Sequence, residues 1–118
     1  MEGDATLVAA LEAAARKATG IKRVTAQRRD LFANPMSPPE LDRFGAVVFD
    51  PPAAGARAQA EMIARSKVAR VSAVSCNPAT LARDARILID GGYRLTRVLP
   101  VDQFVWSAEI EVVAAFER

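Results

Sequence analysis

Val71-Ser72-Ala73-Val74-Ser75-Cys76-Asn77-Pro78 begins as an apolar, β-branched run and stops on a cysteine, an asparagine and a proline. The run reads as a buried strand. Asn77-Pro78 breaks its ladder and opens a helix. Cys76 then stands at the C-terminal tip of a strand, facing a helix N-terminus. In open α/β sheets that edge is where ligands bind, and a helix N-terminus favours an anion. Cys76 is the only cysteine of the chain, so it forms no internal disulfide. Its position leaves it as either a nucleophile or a small buried hydrophobe.

Outward from this stretch the pattern alternates. Residues 46–49 form an uninterrupted apolar strand ended by Asp50-Pro51-Pro52. Residues 56–66 and 79–90 have helical spacing, the second ended by Gly91-Gly92, and the central strand covers 68–75. Residues 94–101 alternate as a half-exposed strand, 102–108 connect, and 109–116 form a last strand. Upstream, residues 5–19 are an alanine-rich helix capped by Asp4 or Thr6 and closed by Gly20. Residues 21–27 read as a short strand, and 28–43 as a connector anchored by Leu41 and Phe44. Strands separated by helices predict an α/β fold with parallel pairing and helices on both faces. Two final strands with no helix between them predict an antiparallel pair at the sheet edge. This pattern suits a Rossmann-like sheet and also a flavodoxin-like one.

Bulk composition narrows the chemistry. With 118 residues, 51% hydrophobic and 25% charged, the chain has the make-up of one globular domain. A net charge of +2 permits an acidic partner without demanding one. No run approaches the roughly 20 apolar residues that span a bilayer, and the acidic opening Met1-Glu2-Gly3-Asp4 is unlike a signal peptide. A lone cysteine makes a reducing cytoplasm the default location. The absence of histidine removes the commonest general base and metal ligand, so no metal site is expected and proton transfer falls to Asp, Glu, Lys, Tyr or Cys.

Three loops converge on the C-terminal side of such a sheet. One holds Asp50, whose carboxylate can bind an amide or amine, or merely start a turn before proline. The second is Ser75-Cys76-Asn77-Pro78. The third contains Phe104 and Trp106, which can stack on a base or pack in the core. It leads into Glu109 and Glu111, placed on one side of the last strand by their period of two.

Asp50-Pro51-Pro52, Ser75-Cys76-Asn77-Pro78-Ala79-Thr80-Leu81-Ala82-Arg83-Asp84, Gly92-Tyr93, Asp102-Gln103-Phe104 and Glu111 stand in an order that resembles the RNA uracil-C5 methyltransferases. The likeness runs over nearly the whole chain. It implies a partial Rossmann-like methyltransferase sheet, mostly parallel with a C-terminal antiparallel strand pair, lacking the first strands. Residues 1–118 would then be the C-terminal part of a catalytic domain. The resemblance implies S-adenosylmethionine as cofactor and a tRNA or rRNA uridine as substrate. Cys76 would be the nucleophile that adds to C6, and Glu111 the base that removes the C5 proton. Glu2, Asp30 and Asp50 would line the cofactor site, and Asn77, Phe104 and Trp106 would meet the RNA.

The chain departs from the family pattern at Ala53, where arginine is common, and at Glu109, where histidine is common. It contains no G-x-G loop, so weak cofactor binding and an inactive isolated chain are expected. The family sheet order would leave the strand at 46–49 with an open edge, to be closed by residues 21–27 or by a second copy in a homodimer. An idle RNA-binding fragment and a small flavodoxin-like regulatory domain are the alternative functions.

Overall fold

A computed structural model describes residues 1–103, 105–107 and 109–118. The chain divides into two compact units, Met1–Pro35 and Met36–Arg118.

In the first unit, α1 (Ala5–Lys17) is capped by Asp4, whose Oδ1 accepts from Thr6 N at 2.7 Å and Leu7 N at 3.2 Å. Arg16 and Lys17 occupy the last turn, where cations suit the helix dipole. The helix stops short of the expected Thr19, because Ala18 is already extended, and Gly20 then takes a left-handed φ of 74°. The strand expected at residues 21–27 does not form. Its only pairing is a single parallel bridge just beyond it, Glu2 with Arg28, in which Glu2 N donates to Gln27 O at 3.1 Å and Arg29 N to Glu2 O at 2.8 Å. A strand needs a ladder, and the partner here is only the short stretch around Glu2. Ile21 and Val24 stay exposed.

The second unit opens with α2 (Pro38–Leu41), entered through Ser37, whose N and Oγ both donate to the Glu40 carboxylate. Leu41 is buried as expected, but Phe44 is 47% exposed and anchors nothing. Gln59 ties the connector down instead: its buried amide accepts from Met36 N at 2.8 Å and donates to Met36 O at 3.2 Å. Such exchange satisfies a polar group that burial would otherwise penalise.

Strands β1 (Ala46–Phe49), β2 (Arg70–Ser75), β3 (Arg94–Val101) and β4 (Glu111–Glu117) form one sheet in the order β1-β2-β4-β3. β1 pairs parallel to β2, while β4 runs antiparallel to both β2 and β3. Three strands therefore share a direction and β4 is threaded between two of them. A flavodoxin-like sheet is parallel throughout, so this arrangement excludes it.

α3 (Arg57–Arg65) and α4 (Pro78–Asp90) pack on each other, with α4 against β2 and β3. The buried residues of β2 (Val71, Ala73, Ser75) and of β4 (Val112, Ala114, Phe116) are cross-strand partners and share one face. In this unit burial alternates along the strands, so the expectation of helices on both faces is not met: Val48 is 72% exposed. Phe116, Ile63, Leu88, Val68 and Val71 make the core beneath the helices. Tyr93 closes it by donating its hydroxyl to Val68 O at 2.6 Å, with the Arg118 guanidinium 3.8 Å above its ring.

β3 is an edge strand exposed along its length, with a register irregularity between Leu95 and Arg97 and a proline at position 100. Both features discourage further pairing. β1 is the other edge. Because residues 21–27 form no strand, they do not supply the neighbour expected for it. Among the described residues no helix is long and apolar enough to cross a membrane.

Phe116→Ala should lower unfolding free energy by about 3–5 kcal/mol, since a side chain 1% exposed leaves a cavity. Urea unfolding would measure it, and a loss under about 1 kcal/mol would show the core collapsing around the gap. The amides of Leu7 and Thr6 hold the Asp4 carboxyl below its usual value of 3.8. Its capping contribution is therefore complete above that value and disappears as pH falls through the lowered folded one. Circular dichroism should show α1 losing helicity in acid, and Asp4→Ala should lower helicity at pH 7 to near the acid level.

Candidate active site

β2 delivers Ser75 to the sheet rim with its side chain buried, and the Ser75 hydroxyl clasps the next turn. It accepts from Asn77 N and donates to Asn77 O, both at 3.1 Å. Asn77 caps α4: its Oδ1 accepts from Ala79 N at 3.0 Å and Thr80 N at 3.4 Å, and Pro78 follows at the first helical position. Proline suits that position because its missing N–H has no intrahelical partner to lose. Cys76 lies between these two pinned residues and is half-buried. It stands between the end of β2 and the start of α4.

The last rung between β2 and β4 is Ser75 with Val112. Cys76 directly follows Ser75 and Glu111 directly precedes Val112, so the two residues flank this last rung. Glu111 is also held from its other side, as the partner of Val101 in β3. Its Oε2 accepts from Gln103 Nε2 at 3.2 Å. Its Oε1 is buried and, among the described residues, has no hydrogen-bond partner. A buried carboxylate oxygen left open is a place for a proton or a ligand donor. Gln103 was visible in sequence only as part of a motif, and its hold on Glu111 appears only in three dimensions.

Asp50 directly follows Phe49, which pairs with Ala73, so Asp50 leaves β1 at this same rim with an exposed side chain. Asn77 makes one contact beyond its cap, donating Nδ2 to Ala53 O at 3.1 Å. Trp106 is fully exposed and has a φ of 65°, a left-handed value uncommon for a large side chain. Core packing is thus not its use. Phe104 lies outside the described residues. Glu109, expected beside Glu111 on one strand, precedes β4 and is exposed, its N donating to Ser107 Oγ at 3.1 Å. The chain turns there, so the period-two relation does not apply.

The first turns of α4 also grip the segment after Asp50. Thr80 Oγ1 donates to Ala53 O at 3.0 Å, Arg83 Nη2 to Ala54 O at 3.1 Å, and Ala56 N to Asp84 Oδ2 at 2.6 Å. Asp84 is 1% exposed, and its Oδ1 accepts from Arg83 Nε and Nη2 at 2.9 and 2.7 Å. A buried carboxylate needs such partners to stay charged. Gly55 closes the turn, donating N–H to Pro52 O at 2.8 Å with a φ of 78°. A Cβ there would come within 2.7 Å of Asp84 Oδ2. Sequence reading missed Thr80, Arg83 and Asp84 as contacts. The available signal was that polar residues 77, 80 and 84 recur at helical spacing on one face.

In the first unit, Glu2 forms the bridge with Arg28, and Asp30 lies two residues beyond Arg28. Glu2 Oε1 accepts from Asp4 N at 2.9 Å, and Asp30 Oδ1 accepts from Phe32 N at 2.9 Å and Ala33 N at 3.3 Å. Both side chains are exposed acceptors suited to hydroxyl or amino donors.

The family model for tRNA (uracil-5-)-methyltransferases matches residues 29–118. RNA methyltransferases of Mesorhizobium japonicum and Rhizobium meliloti, both described as uncharacterized, are 58% and 57% identical over the whole chain, which spans 29% and 28% of their lengths. A 23S rRNA (uracil(1939)-C(5))-methyltransferase of Pseudomonas putida is 51% identical over 63% of the chain and 16% of that protein. The crystal structure of the Pyrococcus abyssi tRNA (uracil-54, C5)-methyltransferase in complex with S-adenosyl-L-homocysteine superposes with a TM-score of 0.58 at 34% identity. That match covers 64% of this chain and 19% of the other. With the motif order, the sheet order and these matches in agreement, the chain belongs to the tRNA (uracil-5-)-methyltransferase family.

Proposed function

We propose that residues 1–118 form the C-terminal part of a methyltransferase catalytic domain that methylates C5 of a uridine in tRNA or rRNA. The observation that carries this reading is the end of the β2–β4 ladder: half-buried Cys76 follows Ser75 and Glu111 precedes Val112, so thiol and carboxylate belong to residues flanking one rung, and Glu111 Oε1 has no partner among the described residues.

The C5 carbon of uracil is a poor nucleophile. The Cys76 thiolate adds to C6, forming an S–C6 bond and pushing the C5=C6 electron pair toward the C4 carbonyl as an enolate. S-adenosylmethionine, when bound, supplies the methyl group that C5 takes. Glu111 then accepts the C5 proton; the C–H electrons restore C5=C6, and the S–C6 bond breaks to return the thiolate. Gln103, bonded to Oε2, keeps Oε1 turned away from itself. The base must leave its stack to reach the rim, and the fully exposed Trp106 offers a surface for a neighbouring base; Phe104 is assigned to the RNA by the family likeness alone. Asn77, next to Cys76 at the start of α4, would meet the RNA at the same rim. The family likeness assigns Glu2 and Asp30 to the cofactor's ribose hydroxyls and adenine and Asp50 to the space between cofactor and base; each of the three side chains is exposed and can accept hydrogen bonds. The chain itself has no G-x-G run, so tested alone it should bind the cofactor weakly and turn over little or no RNA.

The test places this chain in the matching segment of a full-length relative and supplies RNA containing 5-fluorouridine. Fluorine cannot leave as a proton, so a denaturation-resistant protein–RNA adduct should accumulate with the parent and not with Cys76→Ala. Glu111→Gln should cut turnover of ordinary RNA by about 10²–10⁴-fold while still forming the adduct. An adduct formed by Cys76→Ala would falsify the assignment.

A further inference from the structure

The grip of α4 on the Ala53–Ala56 segment is more specific than packing alone requires. Apolar contact would bury the same turn. Instead, a side-chain amide, a hydroxyl, a guanidinium and a buried carboxylate each address a particular backbone atom. The turn is shaped to receive them: Gly55 takes a conformation L-residues avoid, in a space no Cβ fits. Between the gripped Ala53 and Asp50 stand only Pro51 and Pro52. Each has its φ locked, and Asp50, preceding a proline, is itself restricted to extended backbone. Few torsions remain through which Asp50 could move once Ala53 is held. At the other end of the contact, Asn77 adjoins Cys76 and uses one amide group to cap α4 and hold Ala53 together.

We propose that Thr80, Arg83 and Asp84 are positioning residues that lock the Asp50 loop to the helix carrying Cys76, so that carboxylate and thiol are presented as one rigid piece. This rests on the reaction proposed above. The three residues touch neither cofactor nor RNA in that scheme; they act through the backbone of residues 53–56. Thr80 is the cleanest to probe. Its hydroxyl donates to Ala53 O and lies 3.1 Å from Asn77 O, and valine has the same shape without the hydroxyl.

Two measurements on Thr80→Val and Thr80→Ser decide it. In the 118-residue chain, amide hydrogen exchange at Gly55 and Ala56 should quicken about tenfold in Thr80→Val, with β2 and β4 unchanged, and return toward parent in Thr80→Ser. In a full-length relative carrying this chain, Thr80→Val should lower kcat about tenfold or more, with KM for RNA within about twofold of parent. Thr80→Ser should restore kcat. Unchanged exchange at residues 55 and 56 would show that the grip does not hold the loop. Quickened exchange with a parent-like kcat, alongside an intact Cys76 adduct, would show that the loop's position does not matter to the reaction. Failure of the reaction scheme itself reads out separately, as an adduct in Cys76→Ala, and takes the positioning role with it while leaving the exchange result standing.

Discussion

The antiparallel ladder between β2 and β4 is the constraint on which the second unit turns. Its rungs, from Arg70 with Glu117 to Ser75 with Val112, bring residues far apart in sequence into fixed opposition. The side chains of Val71, Ala73 and Ser75 then share a buried face with Phe116, Ala114 and Val112, and α4 packs against β2. A slip of one residue would turn the apolar row outward. Burial thus enforces the register, and the register brings Cys76 and Glu111 to either side of its last rung, Ser75 with Val112.

Helix α4 carries a second burden. Its apolar positions Leu81 and Leu88 face the core. Its polar positions Asn77, Thr80 and Asp84 meet the backbone after Asp50. Asp84 shows the balance involved. Removing a carboxylate from water is costly, and here that cost is offset by the Arg83 guanidinium and the Ala56 amide. Losing either partner would leave a charge poorly solvated, which ties helix and loop together more tightly than a van der Waals contact.

The rim shows an opposite balance. Glu111 Oε1 is buried without a partner among the described residues, and Trp106 stands in solvent with a left-handed backbone. Neither is what stability alone would select. Both lie next to the segments that the family motifs mark.

Much of this was legible in the order of residues. The strands at 46–49 and 94–101 and the bodies of α3, β2 and α4 follow from apolar runs, helical spacing and the breakers Pro51, Pro78 and Gly91, which are local signals. The motif around Cys76 was equally plain. Residues 21–27 look like a strand by composition, but a strand exists only through a partner's hydrogen bonds, and composition does not supply the partner. Phe44 and Glu109 were misjudged for a related reason: the turns around them decide which way a side chain faces. By itself the sequence determined most of the helices and strands of the second unit and which chemical groups stand at their ends. Only the tertiary structure decided that β4 threads between β2 and β3, that Gln103 holds Glu111, and that α4 grips the Asp50 loop. Those pairings join residues distant along the chain, and they are selected by burial and hydrogen-bond satisfaction across the whole unit.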